Sequence, residues 1–225
     1  MKKTDFDEHA TDYNTTLKNQ LQFFEEDNGY FAEYKVKKAK QLVVHEPTNI
    51  LDFGCGIGRS IPFFQKHFPA ATLYGCDLSE KSLETATAQY KTAMFLSVSE
   101  LDRTDIQFNL IFLAGVLHHI TPDERQATMA FLKKHLTADG NLVIFEHNPY
   151  NPLTRYLVNT CPFDEDAILL KPGEIKHQMR EAGIKPIACH YTLFFPQILY
   201  WLRPLENSLR FFPLGGQYVV QGSLK

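Results

Sequence analysis

The sequence predicts an α/β fold: a doubly wound, mostly parallel seven-stranded sheet with helices on both faces. Short apolar runs alternate with stretches at helical spacing over most of the 225 residues, and capping residues mark where several helices start. Strands that are connected by helices pair in parallel through right-handed crossovers. A ligand of such a sheet is expected in the crevice at the carboxyl ends of the strands.

The N-terminal part of the chain is predicted to be helical. Leu17, Leu21 and Phe24 have the spacing of a short amphipathic helix. Gly29 is expected to end it, and a second helix is expected over residues 30–45. The second helix has a lysine run of the kind that normally forms a solvated face. The run consists of Lys35, Lys37, Lys38 and Lys40.

Five apolar runs predict the first five strands, with helices between them. The strands are expected at residues 50–53, 71–76, 93–98, 108–114 and 141–146. Ser79 is placed to cap the second of the intervening helices. Thr121 and Glu124 form a capping-box pattern, which predicts a helix up to about Leu136 and then a turn at Asp139.

The pattern is looser in the C-terminal third of the chain. A loop, a helix and two strands are expected at residues 147–166, 172–182, 184–193 and 217–221. The most apolar stretch, residues 194–213, is expected to form an amphipathic helix that is kinked near Pro204. This helix is expected either to pack on the sheet or form one wall of a substrate cavity, or to meet lipid at a membrane interface.

Composition and charge narrow the class of protein. The chain has 44% hydrophobic residues and a formal net charge of −3, which argues against a general binder of nucleic-acid phosphates. Its four cysteines are scattered and predict neither a zinc site nor a disulfide framework. The first residues lack the apolar core of a signal peptide, and Arg203, Glu206 and Arg210 argue against a membrane-spanning helix. A cytoplasmic protein is therefore expected.

The first strand ends in a glycine-rich bend between Asn49 and Arg59. Gly54, Gly56 and Gly58 follow the buried run at alternate positions. Glycines there allow positive φ and let a ligand reach the bare main chain, as in nucleotide-type cofactor loops. The spacing departs from the dinucleotide fingerprint G-x-G-x-x-G, because the third glycine comes one residue early.

Two acidic residues indicate which cofactor to expect. Asp52 lies just before the bend, where a pyrophosphate would need positive charge, so it favours a cationic ligand. S-adenosylmethionine (SAM) carries an α-ammonium and a sulfonium and has no phosphate. Asp77 follows the second predicted strand, at about the offset where an acidic residue binds a pair of ribose hydroxyls.

The pattern Asp52-x-Gly54-x-Gly56-x-Gly58 with Asp77 resembles the cofactor half of the class I SAM-dependent methyltransferases. The small-molecule enzymes of the ubiquinone and menaquinone type are the most similar in layout. The resemblance implies a Rossmann-like fold with an antiparallel last strand, SAM as cofactor and S-adenosylhomocysteine (SAH) as product. The implied cofactor-binding residues are Asp52, Gly54, Cys55, Gly56, Gly58, Asp77, Leu78, Ser99, Glu100 and Ala114.

The resemblance also implies how the chain is organised. A single domain is expected, made of a helical N-terminal lid (1–45), a cofactor-binding core (46–148) and a substrate-side insertion with the last strands (149–225). Tyr13 is a candidate for closing over the cofactor. Ser99 and Glu100 stand where the family usually has an Asp that bonds the adenine amino group.

Histidines are the candidates for catalysis. Methyl transfer is an in-line displacement that requires alignment of the nucleophile, and an oxygen or nitrogen nucleophile also needs a base of near-neutral pKa. His118 is the first candidate and His119 the second, because both leave the fourth strand beside the expected methyl position. His147 leaves the fifth strand, and Glu146 and Tyr150 are weaker candidates for orienting substrate. The sequence shows no third ligand at recognisable spacing, so no metal is predicted.

Three functions remain open from the sequence. The leading one is methyl transfer from SAM to an O, N or C nucleophile of a small apolar or aromatic acceptor. A lipid-linked acceptor and peripheral membrane contact also stay open, whereas no nucleic-acid partner is expected. The alternatives are a non-catalytic SAM-binding domain and an NAD-dependent oxidoreductase, which Asp52 and Arg59 disfavour.

Overall fold

The computed structural model describes residues 28–161 and 164–225. The predicted helix around Leu17 and the candidate lid residue Tyr13 lie outside these ranges. The helix predicted over residues 30–45 covers Asn28–Leu42, so Gly29 lies in its first turn instead of separating two helices.

In the described part of the chain, one sheet is surrounded by helices. Its strands are β1 (Asn49–Phe53), β2 (Thr72–Asp77), β3 (Ala93–Ser97), β4 (Phe108–Ala114), β5 (Leu136–His147), β6 (Lys185–Thr192) and β7 (Gln217–Ser223). The α-helices are α1 (Asn28–Leu42), α2 (Ile61–His67), α3 (Glu80–Gln89), α4 (Val98–Asp102), α5 (Arg125–Lys134), α6 (Pro152–Asn159), α7 (Pro172–Glu181) and α8 (Glu206–Leu209). Short 3-10 helices cover Leu117–His119 and Gln197–Leu205.

The sheet has seven strands in the order β3-β2-β1-β4-β5-β7-β6. Strand β7 is antiparallel to both of its neighbours, and the other neighbours pair in parallel. The predicted fold class is therefore confirmed, including the antiparallel last strand. The strand order reverses between β1 and β4, which is the switch point where ligands bind in open α/β sheets.

The central strands bury side chains on both faces of the sheet. In β4, Leu110 and Phe112 enter one core with α1 and α2, whereas Ile111 and Leu113 enter the other with α5 and α7. All four side chains are fully buried. Burial on both faces explains why this strand is a nearly continuous apolar run.

The fifth strand and the helix before it differ from their predicted bounds. Helix α5 begins at Arg125, a turn later than the cap predicted at Thr121. Strand β5 begins at Leu136, and the turn predicted at Asp139 is wrong because the chain there stays extended. The early part of β5 pairs with Phe108 across an irregularity in the ladder. Pairing with β4 therefore overrides the local turn signal.

Helix α6 lies inside the predicted loop at residues 147–166. The Asn151 side chain caps the helix by accepting a hydrogen bond from the Thr154 N–H at 3.0 Å. Pro152 follows in the first turn, where its missing N–H costs nothing. Asn151 and Pro152, which lie in the predicted loop, are therefore the start signal of this helix.

The apolar stretch at residues 194–213 is not one continuous amphipathic helix. It forms the 3-10 helix Gln197–Leu205, with non-helical angles at Leu199, and then the short helix α8. Pro204 cannot donate a backbone hydrogen bond, which disfavours an uninterrupted α-helix. Many of the large apolar side chains here are exposed, among them Ile198, Tyr200, Trp201, Leu205, Phe211 and Phe212.

Glu206 anchors this stretch to α1. Its carboxylate accepts hydrogen bonds from the Tyr34 hydroxyl at 2.9 Å and from the backbone N–H groups of Phe194 at 2.9 Å and Phe195 at 3.3 Å. Helix α1 and the C-terminal stretch thus meet beside the carboxyl ends of the strands. Among the described helices, none combines the length and apolar character needed to cross a bilayer.

Candidate active site

The glycine-rich bend leaves β1 at the switch point. Gly54 and Gly56 have φ angles of 75° and 51°, a region in which residues with a Cβ are strained. A Cβ at Gly54 would come within 2.4 Å of the Val116 side chain, so glycine is needed there for close packing. A Cβ at Gly56 would meet no atom within 4 Å. Gly56 therefore faces open space, from which a ligand can approach the main chain.

The rest of the bend is held against β2 and α3. The Cys55 side chain is buried, and its backbone N–H donates to the Cys76 carbonyl at 3.1 Å. Gly58 also has positive φ, and a Cβ there would come within 2.9 Å of the Tyr90 ring. These contacts fix the bend before any ligand binds.

Asp52 lies beneath the bend and is only 3% exposed. Burial and the neighbouring Asp77 carboxylate raise the pKa of Asp52 to about 7, against the opposing effects of a hydrogen bond with Ser60 and the charge of Lys35. A buried carboxylate without a cation is costly to ionise. The bend is therefore suited to a ligand that brings a positive charge to Asp52.

Asp77 lies at the carboxyl end of β2, where the sequence predicted it. Its two carboxylate oxygens accept hydrogen bonds from the Gly56 N–H at 2.7 Å and the Ser79 N–H at 3.0 Å. Leu78, the next residue, is 73% exposed. The carboxyl end of β2 therefore presents an exposed leucine side chain next to a carboxylate fixed by two backbone N–H groups.

Ser99 and Glu100 lie in α4, at the edge of the sheet. The Glu100 carboxylate accepts the Ser97 N–H at 2.8 Å and the Ser97 hydroxyl at 2.9 Å, which makes it part of a capping box. The Ser99 hydroxyl is 3.1 Å from the same hydroxyl of Ser97. Both predicted residues line an open cleft between α3 and β3. Glu100 has a capping role in the structure, and a contact of either residue to adenine stays a prediction.

The carboxyl end of β4 is held by Glu146 of β5. The chain turns at Ala114 and Gly115, and the Glu146 carboxylate accepts the backbone N–H groups of Val116 at 3.1 Å and Leu117 at 2.7 Å. Glu146 is 1% exposed. It thereby fixes the position of the 3-10 turn that carries both candidate histidines.

His118 is enclosed between two carboxylates. Its Nδ1 lies 2.6 Å from Glu146 Oε2, and its Nε2 lies 3.3 Å from Asp164 Oδ1. Burial would lower the pKa of His118, but the two carboxylates raise it to about 9. At 2% exposure, the ring has both nitrogens engaged and little access to a bound acceptor.

His119 and His147 are both close neighbours of His118. Their ring centroids are 4.1 Å and 5.0 Å from that of His118. The His119 side chain is 16% exposed, with its nitrogens 3.5 Å from Asp164 and 3.4 Å from Asp166. Burial and the charge of His118 lower the pKa of His147 to about 4, so its ring is neutral. Tyr150, the remaining candidate, is half exposed.

The sequence missed two groups of this site. Lys35 was expected on a solvated face, but burial lowers its pKa to about 8, with Glu146 and Asp52 opposing that shift. Asp164 was assigned only to a loop. The residues next to Lys35 and Asp164 in the sequence do not indicate a role in the site. Each of the two lies far along the chain from the strand ends that it contacts.

A family model described as "Methyltransferase domain" matches residues 51–142, from β1 into β5. The matched residues include the bend, Asp77 and the 3-10 turn with both histidines. Over these residues the chain is similar to a methyltransferase domain, in agreement with the resemblance to the SAM-dependent methyltransferases drawn from the sequence.

Two curated relatives illustrate the range of the family. A malonyl-[acyl-carrier protein] O-methyltransferase from Herminiimonas arsenicoxydans is 28% identical over 48% of this chain and 41% of its own length. A tRNA N(3)-methylcytidine methyltransferase, Mettl2, from Drosophila melanogaster is 25% identical over 72% of this chain and 57% of its own length. The chain thus spans about half the length of these two relatives.

A solved structure shows the same fold over nearly the whole chain. The TehB-like SAM-dependent methyltransferase from Corynebacterium glutamicum has a TM-score of 0.67 at 18% identity, covering 96% of this chain and 98% of the other. At this identity the similarity concerns the fold and not the substrate.

SAH binding is expected to tighten as the pH rises through 7. The pKa of Asp52 is about 7 in the ligand-free chain, and an ionised carboxylate attracts the ammonium group of the ligand. Below pH 7 binding must first remove the proton, so Kd at pH 6 should be about ten times Kd at pH 8. Calorimetry at several pH values measures this. A Kd independent of pH over that interval would contradict the role of Asp52.

Proposed function

We propose that this chain transfers a methyl group from SAM to the O, N or C nucleophile of a small apolar or aromatic acceptor. The observation that carries the proposal is the bend at the switch point, with Asp52 beneath it, Asp77 beside it and the His118–Glu146 pair across from it. This arrangement offers a cationic cofactor a bare backbone, a carboxylate for its ammonium and a carboxylate for its ribose.

The charge of the site, as well as its shape, favours SAM as the cofactor. Asp52 is buried next to Asp77, so a ligand with a pyrophosphate there would meet two carboxylates. SAM brings a positive charge instead. The exposed Leu78 side chain supports the proposal, because it offers an apolar surface on which an adenine ring could stack. An NAD-dependent oxidoreductase is therefore disfavoured by the same two carboxylates that favour SAM.

An aromatic cavity at the same edge of the sheet favours an apolar or aromatic acceptor. A cavity of about 100 Å³ lies between α1, the end of β6 and the apolar stretch. Its lining includes Tyr30, Phe31, Leu193, Phe194, Phe195 and Arg203. Aromatic walls with a few polar groups are typical of small-molecule sites, which usually have larger volumes of about 300–1,000 Å³, so it is the lining of this cavity and not its volume that bears on the acceptor. This supports an apolar or aromatic acceptor, and a lipid-linked acceptor would place its chain along the exposed stretch.

A second candidate is methylation of RNA. It is favoured by the similarity to the tRNA methyltransferase over 72% of this chain. The net charge of −3 opposes it, since phosphate binding requires a basic surface. Transfer RNA therefore belongs in any screen of acceptors.

We assign the proton-accepting role to His119 and a positioning role to His118. The side chain of His119 is more exposed than that of His118, 16% against 2%. A base must reach the acceptor at hydrogen-bond distance. His118 instead holds the turn through Glu146 and Asp164.

The proposal is tested by a screen with methyl-labelled SAM. Phenols, quinones, carboxylic acids, acyl-carrier thioesters, lipid extracts and transfer RNA are each incubated with the chain, and acceptor-dependent SAH formation is measured. Labelled small-molecule product supports the proposal. Labelled transfer RNA alone would favour the second candidate, and SAH binding without any transfer would favour a non-catalytic domain.

Replacing His119 with asparagine is expected to lower kcat by about 10²- to 10⁴-fold for an oxygen or nitrogen acceptor, because the base is lost. The Kd for SAH should stay unchanged, since the bend is not altered. His177→Asn is the matched control, because this histidine is exposed on α7. An unchanged kcat in His119→Asn would remove the base assignment.

A further inference from the structure

Three side chains with metal-binding atoms meet at the carboxyl ends of β4 and β5. His118 follows β4, His147 ends β5 and Asp164 comes from the segment after α6. One ligand atom from each lies within 4.8 Å of the other two. His118 Nε2 and Asp164 Oδ1 are 3.3 Å apart, about the separation of two ligands around a tetrahedral ion with bonds of about 2.0–2.1 Å.

We propose that His118, His147 and Asp164 bind a divalent transition-metal ion of the zinc, iron or cobalt type. Two imidazoles and one carboxylate are the donors that such ions prefer. Three protein ligands also leave at least one position for water or an acceptor atom. The sequence predicted no metal because Asp164 is far from both histidines along the chain.

Glu146 supplies the support that metal-binding histidines normally have. Its Oε2 lies 2.6 Å from His118 Nδ1, which leaves Nε2 to face Asp164. Glu146 itself is fixed by the N–H groups of Val116 and Leu117. A carboxylate behind a histidine in this way sets the tautomer and orientation of the ring for the ion.

His147 is the member of the cluster that a purely structural network does not explain. Within residues 28–161 and 164–225, its ring nitrogens have no hydrogen-bond or ion-pair partner. The ring nevertheless stands at a centroid distance of 5.0 Å from that of His118. A metal ion would give this imidazole a partner.

The charges around His118 also call for a cation. The Glu146 and Asp164 carboxylates flank one imidazole, and Asp166 lies 3.4 Å from His119. A protonated His118 and the positive charges of Lys35 and Arg125 offset Glu146, whereas Asp164 and Asp166 add further negative charge beside the two histidines. Removing carboxylates from water is costly unless they are paired, and a divalent ion would balance the remaining charge.

The site extends the proposed function without depending on it. The ion would bind an acceptor oxygen, lower its pKa and favour release of its proton to His119 or water before methyl transfer. Binding of the ion itself requires neither SAM nor an acceptor. A failed acceptor screen would therefore leave the metal site standing, and a failed metal titration would leave methyl transfer standing.

The test is a titration of Co²⁺ into the chelator-treated full chain, followed by calorimetry and visible absorption. We expect one ion per chain, the intense ligand-field bands of low-coordinate Co²⁺, and displacement of Co²⁺ by Zn²⁺. His147→Ala and Asp164→Asn should weaken the affinity by about 100-fold or more, and Glu146→Gln by about 10- to 100-fold.

Two exposed residues give matched controls. Glu165 is exposed beside Asp164, and His177 is exposed on α7, so Glu165→Gln and His177→Ala should keep the wild-type affinity for Co²⁺. Circular dichroism and SAH binding show whether each variant is folded. Absence of stoichiometric Co²⁺ binding in the wild type would overturn the proposal. So would an unchanged affinity in folded His147→Ala and Asp164→Asn.

Discussion

Replacing Asp52 with asparagine is expected to weaken SAH binding by about 10- to 100-fold at pH 8. The side chain is 3% exposed, and a hydrogen bond to a charged partner is worth about 1.5–3 kcal/mol. Each 1.4 kcal/mol corresponds to about a tenfold change in Kd. Calorimetric titration of the variant with SAH measures the effect.

The same substitution is expected to stabilise the ligand-free chain at pH 8. The pKa of Asp52 is about 7 in the native state, well above the ordinary aspartate value of 3.8. The native state therefore loses stability as the pH rises from about 4 to 7, and asparagine removes this loss. A rise in melting temperature together with weaker SAH binding distinguishes a functional carboxylate from a structural one.

Asp139→Asn is the control for this prediction, because Asp139 is exposed in β5 away from the crevice. It should change neither SAH affinity nor melting temperature. If Asp52→Asn bound SAH as tightly as the wild type, the bend would not be using this carboxylate to hold the ligand.

Replacing Glu146 with alanine is expected to destabilise the chain by about 3–5 kcal/mol. The substitution removes the acceptor of two backbone N–H groups and the partner of His118 Nδ1, and it leaves these groups buried without a partner. For a chain of this size the melting temperature should fall by roughly 10 °C. Thermal and chemical unfolding measure both quantities.

Glu146→Gln shows how much of the expected loss of stability comes from the negative charge of Glu146, because glutamine has nearly the same shape and no charge. The amide oxygen can still accept the Val116 and Leu117 N–H groups, so the loss should be clearly smaller than in Glu146→Ala. Glu181→Ala, at an exposed position of α7, should stay within about 0.5 kcal/mol of the wild type. A loss of less than about 1 kcal/mol in Glu146→Ala would show that the carboxylate does not hold the turn.

The sheet and the cofactor side of the crevice could be predicted because their signals are local. The bend needs glycine where φ is positive, and β4 is apolar because both of its faces are buried. Asp52 and Asp77 stand at fixed offsets from those features. Such signals are contained in a few neighbouring residues and do not depend on the rest of the fold.

The acceptor side could not be predicted to the same extent, because its groups meet only in the folded chain. Asp164 reaches His118 through the position of the segment after α6, and Lys35 reaches the strand ends through the docking of α1. Strand β5 extends back to Leu136 because β4 offers it a partner. Helix α6 is a different case, since the cap at Asn151 was visible but was interpreted as a loop.

The most direct test of the account is calorimetric titration of the full wild-type chain with SAH and, separately, with NADH at pH 8. The account predicts one SAH site per chain and no NADH binding. Binding of NADH without SAH binding would contradict it, as would the absence of binding by SAH and SAM alike.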